Sequence, residues 1–369
     1  MLKFYAGTLA NPTEDPSIPP SEGIYRFEMD PETGALRKCG LAARANGPSW
    51  VTKHPTAPGI WYAVASGEAE AAQEDVVLAL RQEADGTLSR IGVYPSGGIA
   101  ACHASLSPDG KFLFVSNYRN GTLAFFEVQS DGSLAPLETV QLKGRGPNPV
   151  RQASAHAHFA QTDPTGKFLL ACNLGADRIH SFRYSEDENR WKTAPDFPYA
   201  QSASGSGPRH LVFSPDGRWV YVINELSCTL DAFAWDPEIG SLTLVTSAPT
   251  LPQRFRGINR GAAIDLSKDG KFLYVTNRGA DLITVFQVDP TPVDGSRMEA
   301  GVVLAPVQFI PSGGELPRYA GLDPSGKFFL AANKKSHNIT VFRVDLTDGT
   351  LTRLSSAPIA WCTCVEFSD

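Results

Sequence analysis

Phe213-Ser-Pro-Asp-Gly-Arg-Trp-Val-Tyr-Val-Ile-Asn224 reads as a β-hairpin: the end of one strand, a tight turn and a second strand. Pro215 presets φ for the turn, Gly217 accepts positive φ, and the Asp216 carboxylate can hydrogen-bond nearby backbone. The apolar alternation that follows has period two, as a half-buried strand requires. Much the same pattern recurs at Leu106–Asn117, Thr162–Asn173, Leu266–Asn277 and Leu322–Asn333, with a degenerate copy at His54–Ala65. Its turn positions, four prolines and Lys268, follow one another every 51–56 residues from Pro108 onward. A hairpin returning at that period is a radial repeat, and this decides the fold.

After each Asn comes a polar turn and a third strand: Thr122–Val128, Arg178–Tyr184, Thr229–Trp235, Leu282–Val288 and Asn338–Val344. A second turn, such as Asp131-Gly132 or Asp348-Gly349, leads to a fourth strand. Four antiparallel strands per repeat predict an all-β propeller. The chain opens on Lys3–Thr8, which reads as a second strand with no first strand before it. Gly23–Asp30 reads as a third strand, and Gly34–Lys38 opens a fourth. Cys364–Asp369 supplies the missing innermost strand, giving seven blades in one domain over residues 1–369. Such closure removes exposed sheet edges.

Composition fits: 42% hydrophobic residues suit a packed chain, and 33 Gly with 28 Pro suit many turns. No run of 18 apolar residues predicts a membrane span, and no signal-peptide core precedes the first strand. The six cysteines form no framework, and Cys362 and Cys364 read as core thiols; a reducing, cytoplasmic setting is expected. A net charge of −6 disfavours nucleic acid as a partner. The chain carries no His-Glu-x-x-His, EF-hand loop, Cys-x-x-Cys, Gly-x-Ser-x-Gly, P-loop or dinucleotide fingerprint, so no metal or cofactor is expected.

In a propeller, the start of each innermost strand and the end of the second strand ring one mouth of the central channel. Six residues before the turn proline stand Cys102, His158, Arg209 and Arg318; five before it stand His103 and His210; eight before the turn position stand His156 and Arg260. The second strands end at Asn117, Asn173, Asn224-Glu225, Asn277-Arg278 and Asn333-Lys334. Offsets six and eight share a parity and are expected to face one side. Imidazole and carboxylate groups can move protons, whereas guanidinium and ammonium groups hold a phosphate or carboxylates. The loops Asn11–Ser21, Glu68–Asp75, Lys143–Ser154 and Arg190–Ser206 are expected to line the mouth and set specificity.

Gly207-Pro-Arg-His-Leu-Val-Phe213 followed by Val222-Ile-Asn-Glu-Leu-Ser227, with Lys271–Phe286, Lys335-Ser-His337, and the ends Tyr5–Thr8 and Val365–Phe367, resembles the lactonase family of seven-bladed propellers. That family includes 6-phosphogluconolactonases and 3-carboxy-cis,cis-muconate lactonising enzymes. The resemblance implies a catalytic set of His158, Arg209, Glu225 and Arg278, with Arg260 as an alternative to Arg278. It implies a small anionic lactone, 6-phosphogluconolactone first, as substrate; from their place around the mouth, His156, His103, His210, Arg260, Arg318, Lys334, Asn117 and Asn173 are expected to bind it. His158, with His156 as the alternative, would activate water; Glu225 would handle the leaving proton or share the base role; and Arg209 and Arg278 would stabilise the oxyanion. A muconate cycloisomerase is the enzymatic alternative, and a non-catalytic interaction scaffold is the alternative from another class.

Overall fold

The computed structural model describes residues 1–9, 18, 21–67, 74–289 and 301–368. Most of the loops Asn11–Ser21 and Glu68–Asp75, and the last residue of the closing strand, lie outside them.

The repeated hairpins form seven antiparallel sheets. Their innermost strands are Trp50–Lys53, Ala101–Leu106, Ala157–Thr162, Pro208–Phe213, Arg260–Leu266, Pro317–Leu322 and Cys362–Phe367. Each touches the innermost strand of the next sheet, and the last touches the first, so the ring is closed. Closure is the clasp that the termini predict. Cys362–Phe367 pairs with Leu2–Thr8, which pairs with Gly23–Met29 and then Leu36–Arg44. One blade departs from four strands. Both Arg190–Thr193 and Tyr199–Gln201 pair with Arg178–Ser185. Pro195 and Pro198, which cannot donate to the ladder, fall in the gap and split the outer edge. Part of the segment read as a long loop from Arg190 is therefore sheet.

Apolar faces pack between adjacent blades. Phe168, Leu170 and Cys172 of one sheet meet Phe213, Val220, Val222 and Trp235 of the next. Full burial of a large apolar side chain stabilises by roughly 1.5–3 kcal/mol, so each blade depends on both neighbours. Cys362 and Cys364 are both buried and unpaired, as core thiols.

The innermost strands share a defect that positions the site. Their pairing with the second strand slips at Cys102, His158, Arg209 and Arg318, each left unpaired between two register positions. A comparable slip occurs at Ala262–Ala263 and at Thr363. A β-bulge re-aims the extra side chain and bends its strand. The bulge thus recurs around the ring at the level of the mouth, and it breaks the parity that links offsets six and eight.

One residue beyond the bulge, ring side chains fill the bore. Trp50 packs on His103, His210 and Tyr319 at centroid distances of 4.5, 5.8 and 5.9 Å. Phe159 lies 4.0 Å from His103 and 4.8 Å from His210. This septum separates a cavity of about 320 Å³ at the mouth described below from one of about 510 Å³ at the opposite end.

The second cavity contains Asp265 and Glu366. Burial pushes Asp265 up to about 6 and Glu366 up to about 7, with Lys53 partly offsetting the rise at Glu366. A folded-state pKa above the unfolded one means that the folded state holds the extra proton. Stability associated with Glu366 is therefore full below about pH 4.5 and declines as pH rises toward 7. Glu366→Gln is expected to be neutral at pH 4 and to stabilise by about 1–3 kcal/mol at pH 8. Denaturant melts at the two pH values check this; equal effects at both would contradict it.

Candidate active site

The site is built on the hairpin Pro208–Phe213 and Trp219–Asn224. Gly207 sits at φ +65°, and a Cβ there would meet the Leu226 side chain at 2.8 Å, so only glycine suits the approach to this strand. Its carbonyl accepts the Glu225 N–H at 2.8 Å. That bond ties the ends of the hairpin and sets Arg209 facing Glu225. Arg209 Nε donates to Glu225 Oε2 at 3.1 Å.

Glu225 is shared by three arginines. Arg278 Nη2 donates to Oε2 at 2.6 Å and Arg151 Nη2 to Oε1 at 2.5 Å. The carboxylate side chain is only 3% exposed. Burial alone would raise its pKa, but Arg278 and Arg209, then Arg151, hold it well below the usual carboxylate range. It is an ionised group with both oxygens engaged, which suits it to hold cations and not to carry a proton.

Arg209 stands behind this arrangement. Its side chain is 2% exposed, and its donors also reach the Ala262 carbonyl and His210 Nε2. The oxyanion role expected for it from the sequence has no accessible edge to act through. Arg209 instead anchors Glu225, and its loss would cost stability as well as turnover. Arg278 has an accessible position on the cavity wall, bonded to Glu225 and to the Gly261 carbonyl.

His158 lines the cavity. Burial first, then Arg209, hold its pKa well below 6.5, partly opposed by Glu225, so the imidazole is neutral near pH 7. Cys102 Sγ lies 4.0 Å from its Nδ1, and burial pushes that thiol up to about 12, so it stays protonated. His156 does not join the lining. It stacks on Tyr118 at 4.5 Å, and its Nδ1 meets the Tyr118 carbonyl at 2.8 Å. The bulge at His158 turns the two histidines apart. His103 and His210 belong to the septum and face the other cavity, a correction to their expected place at the mouth.

Arg318 and Arg260 also line the cavity. Among the described residues neither guanidinium has an acidic partner. Lys334 lies near Arg318 and Arg278, outside the lining, with its ammonium 5.6 Å from the Trp361 ring centroid. Burial, then Arg318 and Arg278, lower its pKa. Asn117 and Asn173 are fully buried turn clamps and do not reach the cavity. Asn117 donates to the Ser96 carbonyl and Thr122 Oγ1; Asn173 accepts the His156 N–H and donates to the Lys143 carbonyl. Asn277 and Asn333 repeat the arrangement, which is a property of the blade.

Arg151 and Tyr118 are lining residues that sequence reasoning did not single out. Arg151 comes from the loop Lys143–Ser154, and Tyr118 follows the blade Asn where Glu225, Arg278 and Lys334 follow it elsewhere. Comparing the residue after each Asn would have found Tyr118. Four arginines and two carboxylates, Asp75 and Glu225, line the cavity of a chain whose net charge is −6. Asp75 has a structural duty, accepting the Ala101 N–H at 2.7 Å. The mouth is therefore cationic around one neutral imidazole, a setting for water activation next to a bound anion.

A family model described as a seven-bladed β-propeller lactonase matches residues 3–367. A 6-phosphogluconolactonase of Bacillus subtilis is 31% identical over 349 residues, 94% of this chain and 95% of that protein. One of Formosa agariphila is 30% identical over 339 residues, 91% of this chain and 92% of that protein. The solved periplasmic gluconolactonase of Pseudomonas aeruginosa superposes with a TM-score of 0.87 at 30% identity, over 99% of this chain and 98% of that one.

Proposed function

Because this chain belongs to the seven-bladed β-propeller lactonase family, we propose that it hydrolyses an anionic sugar lactone, with 6-phosphogluconolactone as its substrate. One observation carries the choice of an anionic ligand. Glu225 already engages Arg151, Arg209 and Arg278, yet Arg318 and Arg260 still line the cavity with no acidic partner among the described residues.

His158 lies at the bulge level, deep in the cavity, so the lactone carbonyl sits there. The neutral imidazole takes a proton from water as the water oxygen attacks the carbonyl carbon. Arg318 and Arg278 donate to the carbonyl oxygen as it gains negative charge. When the tetrahedral intermediate collapses, the ring C–O bond breaks and the imidazolium returns its proton to the departing ring oxygen. Glu225 keeps the guanidiniums in register and offsets their field at His158, which eases formation of the imidazolium. The six unpaired cysteines agree with a cytoplasmic enzyme meeting a phosphorylated metabolite.

Arg318→Gln tests the oxyanion assignment. Loss of one such donor lowers kcat by about 10²–10³-fold, or roughly 3 kcal/mol. Because Arg318 forms no ion pair among the described residues, the thermal midpoint should hold. Unchanged kcat on 6-phosphogluconolactone would reject the role.

A further inference from the structure

We propose that Arg151 reads the substrate's phosphate, and so makes the enzyme prefer a phosphorylated lactone to its unphosphorylated counterpart. This rests on the lactonase reading above and adds the residue that selects among lactones.

Depth in the channel separates the two ends of the substrate. His158 and Arg318 occupy the bulge level, where the carbonyl reacts. A phosphate on the far end of the sugar must then lie toward the rim. Arg151 enters the cavity from a loop there and not from a strand.

The loop holds it rigidly. Asn148 Oδ1 accepts the N–H groups of Val150 and Arg151 at 3.1 and 3.0 Å. Gln152 next door is fully buried and donates to the Leu174 carbonyl at 2.9 Å and to Asp177 Oδ1 at 2.6 Å. Val150 is 82% exposed while Arg151 turns inward, so apolar packing does not dictate the direction. Electrostatics does: Nη2 bridges Glu225 Oε1 and Tyr118 Oη, the latter at 2.9 Å.

Nη1 of the same guanidinium is buried with no acceptor. An unsatisfied buried donor is costly, and more so on a charged group. A phosphate oxygen reached by a small rotation of the planar group would satisfy it while Nη2 keeps Glu225. A fixed, two-edged guanidinium is the geometry that distinguishes phosphate from a hydroxyl. Exposed Arg260, on the same lining, supplies a second positive charge.

The test compares gluconate 6-phosphate with gluconate by calorimetry, and 6-phosphogluconolactone with δ-gluconolactone by kinetics. In Arg151→Gln, affinity for gluconate 6-phosphate and 1/KM for the phosphorylated lactone are expected to fall about 10- to 100-fold further than affinity for gluconate and 1/KM for δ-gluconolactone. Arg151→Lys retains the Glu225 ion pair and so guards against misfolding; it should lose about tenfold of the discrimination. An equal fall for both ligands would make Arg151 a support for Glu225 only and overturn the assignment, as would no change. If the wild-type enzyme hydrolyses neither lactone, the lactonase reading itself fails and this inference with it. If it hydrolyses both equally well, only the phosphate assignment fails.

Discussion

Glu225→Ala is expected to destabilise the folded protein by about 3–5 kcal/mol and to abolish measurable turnover. Glu225 is the shared counter-ion of Arg151, Arg209 and Arg278. Its removal leaves the guanidinium of Arg209 buried without a carboxylate, beside others of like charge. Burial and the neighbouring arginines already pull the Arg209 pKa below its usual range. The effect has a pH signature. A depressed carboxylate pKa gives stability that is present above the unfolded value, near pH 4.5, and lost as pH falls through the lower folded value. The gap between wild type and Glu225→Ala should therefore stay wide from pH 8 to 5 and narrow only in stronger acid. Urea midpoints across that range measure it. A gap that is small at pH 7 would show that the arginines do not depend on Glu225.

His158→Gln is expected to have the second large effect, confined to catalysis. Loss of a positioned proton-transfer group lowers kcat/KM by about 10²–10⁴-fold. Glutamine keeps most of the volume, and the imidazole it replaces is neutral, so the melting temperature should stay near wild type. With His158 as the proposed base, its depressed pKa is expected to set the acid limb of the rate profile. The base must be neutral, so activity is lost as pH falls through a value below 6.5. A limb centred above 6.5, or one unchanged in His158→Gln, would assign the base elsewhere.

Much of this was legible because the repeat is written in turn chemistry. The segment Ser214–Arg218 alone carries the proline, aspartate and glycine of its hairpin, and Asp216 Oδ1 accepts the Arg218 N–H as expected. The termini announce the clasp because each lacks the strand the other supplies. Arg209 and Glu225 face each other because a hairpin joins them. What the sequence hides is local irregularity. A bulge at His158 leaves no mark in an alternating pattern, yet it decides that His158 lines the cavity and His156 does not. Separate bulges at Cys102 and Arg209 precede His103 and His210, which lie in the septum although their position at the opening of the innermost strands placed them at the mouth. The asparagines were ambiguous because a turn clamp and a ligand donor use the same amide. Arg151 was invisible because its direction depends on Glu225, 74 positions away in the chain.

The proposed chemistry is hydrolysis of an anionic lactone at a cationic mouth around one neutral imidazole. The most direct measurement is the rate of 6-phosphogluconolactone hydrolysis above the spontaneous rate, with 3-carboxy-cis,cis-muconate as a parallel substrate. The wild-type protein is expected to show saturable hydrolysis, reduced to about 1% or less in His158→Gln, and no lactonisation of the muconate. Hydrolysis no faster than in buffer, or equally fast with His158→Gln, would contradict the proposed chemistry.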